Sequence, residues 1–193
     1  MTTGPSNEDG WVRHGGPDPF LTPEEKKDLS RRLRGRLASP VSVWTAWAPD
    51  RRAVGLTVSS LMVGEGDPAL ILGLVGPLSD MWEAIEASGR FVVHVLGAND
   101  VRLSDQMAGR YPDDPFRGLS ITEAEAGPVL AGVETRATCT LVNHSEVGWS
   151  LLVHGRIDSV ELGPVERPLV HYRSGYVSTG PRRATGSADT AGG

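Results

Sequence analysis

The sequence has little cysteine, no strong positive charge and no long apolar run. Its one cysteine, Cys139, rules out a disulfide within the chain of 193 residues, and a cytoplasmic protein is expected. The formal net charge of −5 argues against a broad basic face for nucleic acid. No apolar run approaches the roughly 20 residues that cross a membrane, and the N-terminus lacks a signal-peptide pattern. We therefore predict neither a nucleic-acid partner nor a membrane partner.

The sequence also lacks the short motifs that mark many catalytic and nucleotide-binding sites. It contains no G-x-G-x-x-G, P-loop or H-E-x-x-H motif, and no histidine pair has the spacing of a metal site. Cys139 stands in the alternating run ATCTLV, which is typical of a strand, so it is interpreted as a core residue. No metal is predicted, and no residue is predicted to act as a catalytic acid, base or nucleophile.

What the sequence does contain is a pattern of short strands with few helices. A capping box at Thr22–Glu25 predicts a helix to about Leu37. Alternating and apolar runs predict roughly seven strands, mostly joined by hairpins, with helices in the crossovers. The predicted fold is mainly β, a barrel with flanking helices, rather than a doubly wound sheet. The predicted domain covers residues 22–178, with a flexible arm at 1–21 and a disordered tail at 179–193.

The segment VGLTVSSLMV, residues 54–63, places two adjacent serines where a buried strand should be apolar. Ser59 and Ser60 are either turn residues that bond the local backbone, or a bend whose hydroxyls and backbone face a ligand. Ser79 and Asp80 begin a predicted helix after the next long strand. The free N–H groups of a helix start favour phosphate, although the Asp80 carboxylate competes for them. Together the two features would suit a cofactor with a ring system and a phosphate tail.

Several motifs occur in an order that resembles the flavin reductase-like family, the FMN-binding split barrels. They are GLTVSS at 55–60, DPAL at 67–70, ASGRFVVHVL at 87–96, GPVLAG at 127–132, GRI at 155–157 and PLVHYRSGY at 168–176. The resemblance covers about residues 36–178. No single motif is decisive, and it is their order that carries the likeness.

The resemblance implies a homodimer with FMN, or FAD, at the subunit interface, and hydride transfer from NADH or NADPH to the flavin. A partner monooxygenase is a candidate recipient of the reduced flavin. The implied cofactor-binding residues are Leu56, Thr57, Val58, Ser59, Ser60, Ser79 and His94. The implied nicotinamide and substrate side is formed by Trp149, Ser150, His171 and Tyr176.

Four departures from the family pattern leave the activity open. One is that Arg136 and Thr138 hold positions that are usually aromatic and Glu. The usual G-D-H reads Gly148-Trp149-Ser150, the helix start at Ser79-Asp80 carries no arginine for phosphate, and His94 replaces an asparagine. His94 and His154 stand in apolar strands, where a histidine is more often a core residue bonded to the backbone. The chain could be an NAD(P)H-dependent reductase with Trp149 as a stacking surface, or a reductase with another donor such as a deazaflavin. A flavin-binding or sensing protein without turnover also remains, as does a plain interaction barrel.

Overall fold

The computed structural model describes residues 11–14, 29–110, 114–164 and 167–179, and these residues form a mainly β structure. They contain three helices: α1 (Leu29–Arg34), α2 (Asp80–Ser88) and α3 (Val101–Met107). The strands are β1 (Trp11–His14), β2 (Ser39–Pro40), β3 (Ser42–Trp47), β4 (Ala53–Val58), β5 (Met62–Gly64), β6 (Leu70–Val75), β7 (Arg90–Val95), β8 (Ile121–Ala124), β9 (Gly127–Leu130), β10 (Arg136–Val147), β11 (Ser150–Glu161), β12 (Leu169–Tyr172) and β13 (Gly175–Thr179). None of the helices in these residues is long and apolar enough to cross a membrane.

The strands form one large sheet and two small ones. The large sheet has seven strands in the order β4-β3-β7-β10-β11-β6-β5, and a four-stranded sheet has the order β1-β13-β12-β2. Strands β8 and β9 form a separate hairpin. Every pairing is antiparallel, which agrees with the prediction that the chain is not a doubly wound β-α-β fold.

The large sheet is strongly curved, because a short link joins its two edges. Strand β4 is at one edge and β5 at the other, and only residues 59–61 separate them. Seven flat strands would hold the edges about 29 Å apart at the usual strand spacing. The chain from Val58 to Met62 spans at most about 14 Å. The link is fastened to β6, where the Leu74 amide donates to Ser60 Oγ at 2.8 Å.

The concave side of this sheet holds the larger of two apolar clusters. The Trp44 and Phe91 rings stack there with centroids 4.8 Å apart. A Cβ on Gly73 would stand 2.6 Å from Trp44, so a glycine is needed for β6 to pass this ring. Helix α2 covers the cluster with Met81, Trp82 and Ile85, which are the apolar positions that its sequence predicted.

A second cluster joins the large sheet to α3 and the four-stranded sheet. It contains Val41 just before β3, Val43 in β3, Met107 of α3, and Leu169 and Tyr176 of the four-stranded sheet. Gly55 of β4 touches this layer, because a Cβ there would stand 2.4 Å from Met107 Sδ. Helix α3 therefore packs directly against the backbone of β4 at an edge of the large sheet.

Several element predictions are confirmed and others need correction. Strand β4 has the predicted bounds, and α2 ends at the predicted Gly89, which adopts the left-handed conformation with φ 69°. The described residues hold thirteen strands rather than seven, since short strands such as β2 and β5 were missed. Helix α1 ends at Arg34 rather than Leu37, and its predicted start at Thr22–Glu25 lies outside the described residues.

The prediction of a flexible arm is wrong for Trp11–His14, which pair with β13 from Thr179 to Tyr176. An extended segment gains backbone hydrogen bonds to β13 along one side at this sheet edge, whatever its own hydrophobic pattern. Thr179 is part of β13 rather than of the predicted tail. The rest of the predicted arm before residue 29, and residues 180–193, lie outside the described residues.

The link between the sheet edges gives a first test. Ser60→Ala removes the acceptor of the Leu74 amide, and we expect a loss of about 0.5–1.5 kcal/mol in the free energy of unfolding. Ser59→Ala is the matched control, because the neighbouring hydroxyl takes no part in this contact. Urea unfolding of the three proteins measures the difference. Equal stabilities of the two variants would contradict the role given to Ser60.

Candidate functional site

A cleft of about 290 Å³ lies where β4, the start of α2 and the end of α3 meet. Its walls include Leu56 of β4, Met81 of α2 and Met107 of α3, and its polar lining includes Arg52 and Ser79. This volume is at the lower end of the range for small-molecule sites. A cleft with apolar walls and a few polar groups is the usual form of such a site.

Helix α3 is held against β4 by a hydrogen bond as well as by packing. Thr57 Oγ1 donates to the Ser104 carbonyl at 2.6 Å, and Ser104 Oγ bonds the Tyr176 hydroxyl at 2.9 Å. These bonds connect β4, α3 and β13 in one chain of contacts. The α3 wall of the cleft is therefore fixed in position relative to the sheet.

The start of α2 lines the cleft, and its first backbone amides have no partner within the helix. Ser79 Oγ accepts from the Trp82 amide at 3.2 Å, and the Glu83 amide donates to the Ser79 carbonyl at 3.2 Å. The amides of Asp80 and Met81 come before this first helical bond, so the helix offers them no carbonyl. Both residues line the cleft. Such amides, with the positive end of the helix dipole, favour an anionic group.

An arginine that the motif analysis missed lies at the same point. Arg52 Nη2 is 3.2 Å from Asp80 Oδ2, and both side chains are more than half exposed. The turn between β3 and β4 carries Arg52 there, with its amide donating to Asp50 Oδ1 at 3.1 Å. The family pattern suggested that an arginine for phosphate was absent from the helix start. In the structure, the preceding hairpin brings Arg52 to this helix start.

The predicted cofactor residues are only partly brought together. Leu56 and Ser79 line the cleft. The hydroxyl of Thr57 is bonded to α3, and Val58 is only 2% exposed in the first cluster. Ser59 and Ser60 lie in the link between the sheet edges, and Ser60 Oγ is engaged by β6.

His94, which the resemblance implied as a cofactor-binding residue, is a core residue in this structure. Its side chain is fully buried, with Nδ1 3.2 Å from the Val43 carbonyl and Nε2 accepting from the Leu130 amide at 3.1 Å. This arrangement requires a neutral ring that donates from Nδ1. Burial lowers the pKa of His94 to about 4, with a smaller effect of Arg136 in the same direction and an opposing effect of the Val43 bond. Neither ring nitrogen is open to a ligand.

The four residues predicted for the nicotinamide side fall on two different sheets. Trp149 and Ser150 lie at the turn of the β10–β11 hairpin in the large sheet, where Trp149 is 89% exposed. His171 and Tyr176 lie in the four-stranded sheet, and their ring centroids are 6.1 Å apart. Tyr176 is only 6% exposed, and burial is the main cause that raises its pKa. Tyr176, which the resemblance implied on the substrate side, packs in the second apolar cluster and bonds Ser104.

Two further features lie apart from the cleft. Cys139 is buried, as predicted, and burial, assisted by Asp158, raises the pKa of its thiol to about 12, so it is unsuited to nucleophilic chemistry. A larger cleft of about 370 Å³ includes Asp100, Thr135 and Arg167, but none of the predicted site residues lines it.

The fold and the cleft define a class of protein, namely a mainly β domain with a cleft between a curved sheet and two helices. Residues 34–180 match the flavin reductase like domain, and the chain belongs to that family. The family resemblance found in the ordered motifs is thereby confirmed.

Individual relatives agree with this assignment. The chain is 30% identical over 158 residues to the reductase subunit HsaB of a flavin-dependent monooxygenase from Mycobacterium tuberculosis, covering 80% of this chain and 83% of that one. It is 31% identical over 162 residues to a flavin reductase (NADH) from Kitasatospora aureofaciens, covering 79% and 83%. A solved structure of a homolog of nitrilotriacetate monooxygenase component B from Mycobacterium thermoresistibile has a TM-score of 0.72 at 28% identity, covering 83% and 92%.

Burial of His94 predicts a dependence of stability on pH. The unfolded chain binds a proton on this histidine near its ordinary pKa of 6.5, but the folded chain does so only near 4. The stabilising contribution is therefore complete above pH 6.5 and is lost as the pH falls toward 4. We expect His94 alone to lower the free energy of unfolding by about 2 kcal/mol between pH 7 and pH 5.

His94→Gln removes the titrating group and keeps polar atoms in the same place. Urea unfolding at both pH values should show a smaller fall for this variant than for the parent. The comparison between pH 8 and pH 7 is the control, because His94 is then largely neutral in both states. An identical fall in the two proteins between pH 7 and pH 5 would contradict the buried, neutral histidine.

Proposed function

We propose that this chain is a flavin reductase that uses NADH or NADPH to reduce FMN bound in the cleft between β4, α2 and α3. The observation that carries the proposal is the cleft itself. It has apolar walls, and Arg52 with the free amides of α2 lies at its polar end. A flat ring and a phosphate need these two environments, and the chain belongs to the flavin reductase family.

The residues present fit a flavin nucleotide. Leu56 and Ala108 offer apolar contacts to a ring, whereas Arg52, Ser79 and the α2 amides suit a phosphate. When bound, the flavin supplies the redox chemistry, accepting a hydride from the nicotinamide. The chain's own residues then orient the ring and exclude water. FAD remains an alternative to FMN.

We also propose that the large sheet closes as an FMN-binding split barrel. The link at residues 59–61 supports this closure, because it is too short to let the edge strands β4 and β5 lie far apart. On the outer surface of the large sheet, Met62 of β5 and Leu74 of β6 are exposed to solvent. Leu152 of β11 lies opposite Leu74. An apolar sheet face of this kind is typical of a protein interface.

This face supports a homodimer, in which a second copy of the chain would cover it. Trp149 projects from the turn of the adjoining hairpin. Its free ring is suited to stacking on a planar group such as a nicotinamide, and Trp149 and Ser150 replace the family's Asp-His pair there. His171 is kept as a weaker candidate for the substrate side.

A partner monooxygenase is the recipient that we propose for the reduced flavin. The Mycobacterium tuberculosis relative is named as the reductase subunit of a flavin-dependent monooxygenase, which supports this role. The lack of intramolecular disulfides keeps the cytoplasm as the proposed location.

The activity is tested by mixing the protein with FMN and NADH or NADPH without oxygen. We expect loss of the visible absorbance of the flavin, at a rate proportional to protein concentration. FMN binding without bleaching would instead indicate a binding protein, and bleaching with a reduced deazaflavin alone would indicate another donor. Ala108→Trp should weaken FMN binding by about tenfold or more, because this exposed residue lines the cleft.

Ala131→Trp is the matched control for Ala108→Trp, since it places the same ring at an exposed position outside the cleft. The dissociation constants come from the change in flavin fluorescence on titration. Equal FMN affinity of the two variants would place the flavin elsewhere on the protein.

The proposed dimer is tested by placing a charge on the exposed sheet face. Leu74→Glu should shift the protein from dimer to monomer in sedimentation velocity, because an unpaired carboxylate would be buried at the interface. Leu162→Glu is the control, as Leu162 is exposed beyond the end of β11. A parent protein that sediments as a monomer at micromolar concentration, or a dimer that survives Leu74→Glu, would contradict this interface.

A further inference from the structure

Two opposite charges lie together at the polar end of the cleft. Arg52 and Asp80 both line it, and their side chains form an ion pair with a distance of 3.2 Å. Asp80 is the first residue of α2, and Glu83 adds a second carboxylate to the same turn. The helix start therefore already holds negative charge at the place where an anionic ligand group would bind.

We propose that Arg52 and Asp80 set the affinity of the cleft for the phosphate of FMN, Arg52 by binding it and Asp80 by opposing it. This inference rests on the proposed function, because it concerns the phosphate end of the same flavin site. It assigns to Arg52 the role of phosphate ligand and to Asp80 that of a residue that limits the affinity for phosphorylated flavin.

The charges of the groups support these roles. A phosphate monoester carries about −1.5 to −2 charges near pH 7, and a guanidinium can bind it through two parallel N–H groups. The Arg52–Asp80 pair is more than half exposed on both sides, and an exposed pair of this kind is held weakly. Arg52 can therefore leave Asp80 for the phosphate at little cost.

The Asp80 carboxylate then remains close to the phosphate without its partner. It repels the phosphate and shares with it the dipole of the same helix start. The apolar lining at Leu56 and Ala108 would contact the ring, and this contact is insensitive to the charge at Asp80. The expected result is a flavin that is held mainly through its ring and that exchanges like a substrate.

The test compares FMN with riboflavin, which has the same ring but no phosphate. Dissociation constants of both flavins are measured by fluorescence titration of the full chain at low salt. The informative quantity is the ratio of the riboflavin constant to the FMN constant. Asp80→Asn should raise this ratio by about threefold to tenfold through tighter FMN binding, with riboflavin binding changed less than about twofold.

Arg52→Gln should change the ratio in the opposite direction, weakening FMN binding by a similar factor and leaving riboflavin binding unchanged. Glu86→Gln is the matched control, because it removes an exposed carboxylate from α2 at a position farther from the helix start. The control should keep the parent ratio. Raising the salt concentration should reduce the difference between Asp80→Asn and the parent.

The outcomes separate this inference from the proposed function. If both flavins bind and neither Asp80→Asn nor Arg52→Gln changes the ratio, the roles of these residues are wrong while the flavin site stands. Equal changes in FMN and riboflavin binding would also overturn the inference, since they would report a change in the fold. If the parent binds neither flavin, the proposed function fails and this inference fails with it.

Discussion

The short connection from Val58 to Met62 constrains the whole arrangement, because it requires the first and last strands of a seven-stranded sheet to approach each other. Antiparallel strands twist in any case, but twist alone does not set the distance between edges. With that distance limited, the concave face encloses Trp44 and Phe91, and glycine is needed where β6 passes the Trp44 ring. Helix α2 then covers the enclosed cluster. The cleft lies where the start of α2 meets β4 and α3.

Much of the fold could be predicted because its longer elements carry their own signals. Strand β4 lies between a turn and two serines, and α2 has a serine cap at one end and a glycine at the other. The missed strands lack such signals. Strand β5 has three residues with an exposed pattern, and Trp11–His14 become a strand only through pairing with β13. Their structure depends on a partner far along the chain, which local periodicity does not identify.

The site was harder to predict for a related reason, since side-chain roles depend on distant backbone groups. Of the two interpretations of the serines, a bond to the backbone is what the structure shows for Ser60, but its partner Leu74 is fourteen residues away. His94 is neutral and has no ring nitrogen open to a ligand, because Val43 and Leu130 each bond one of its two nitrogens. Arg52 was missed because a turn carries it to a helix start that follows much later in the sequence. The sequence signal that could have identified Arg52 was the charged turn directly before β4.

The division of the cleft into an apolar part and a charged part has a consequence for a reductase that passes its flavin to another protein. In the proposed site, contact with Leu56 would be short-ranged and would depend on the shape of the ring. The charges at Arg52 and Asp80 would act on the phosphate over a longer distance, and their effect would weaken as salt increases. A cation alone at the helix start would favour retention of the nucleotide, whereas a neighbouring carboxylate opposes it. Recognition of the ring and release of the nucleotide can therefore be adjusted by different residues, and Asp80 is the residue through which this chain would favour release.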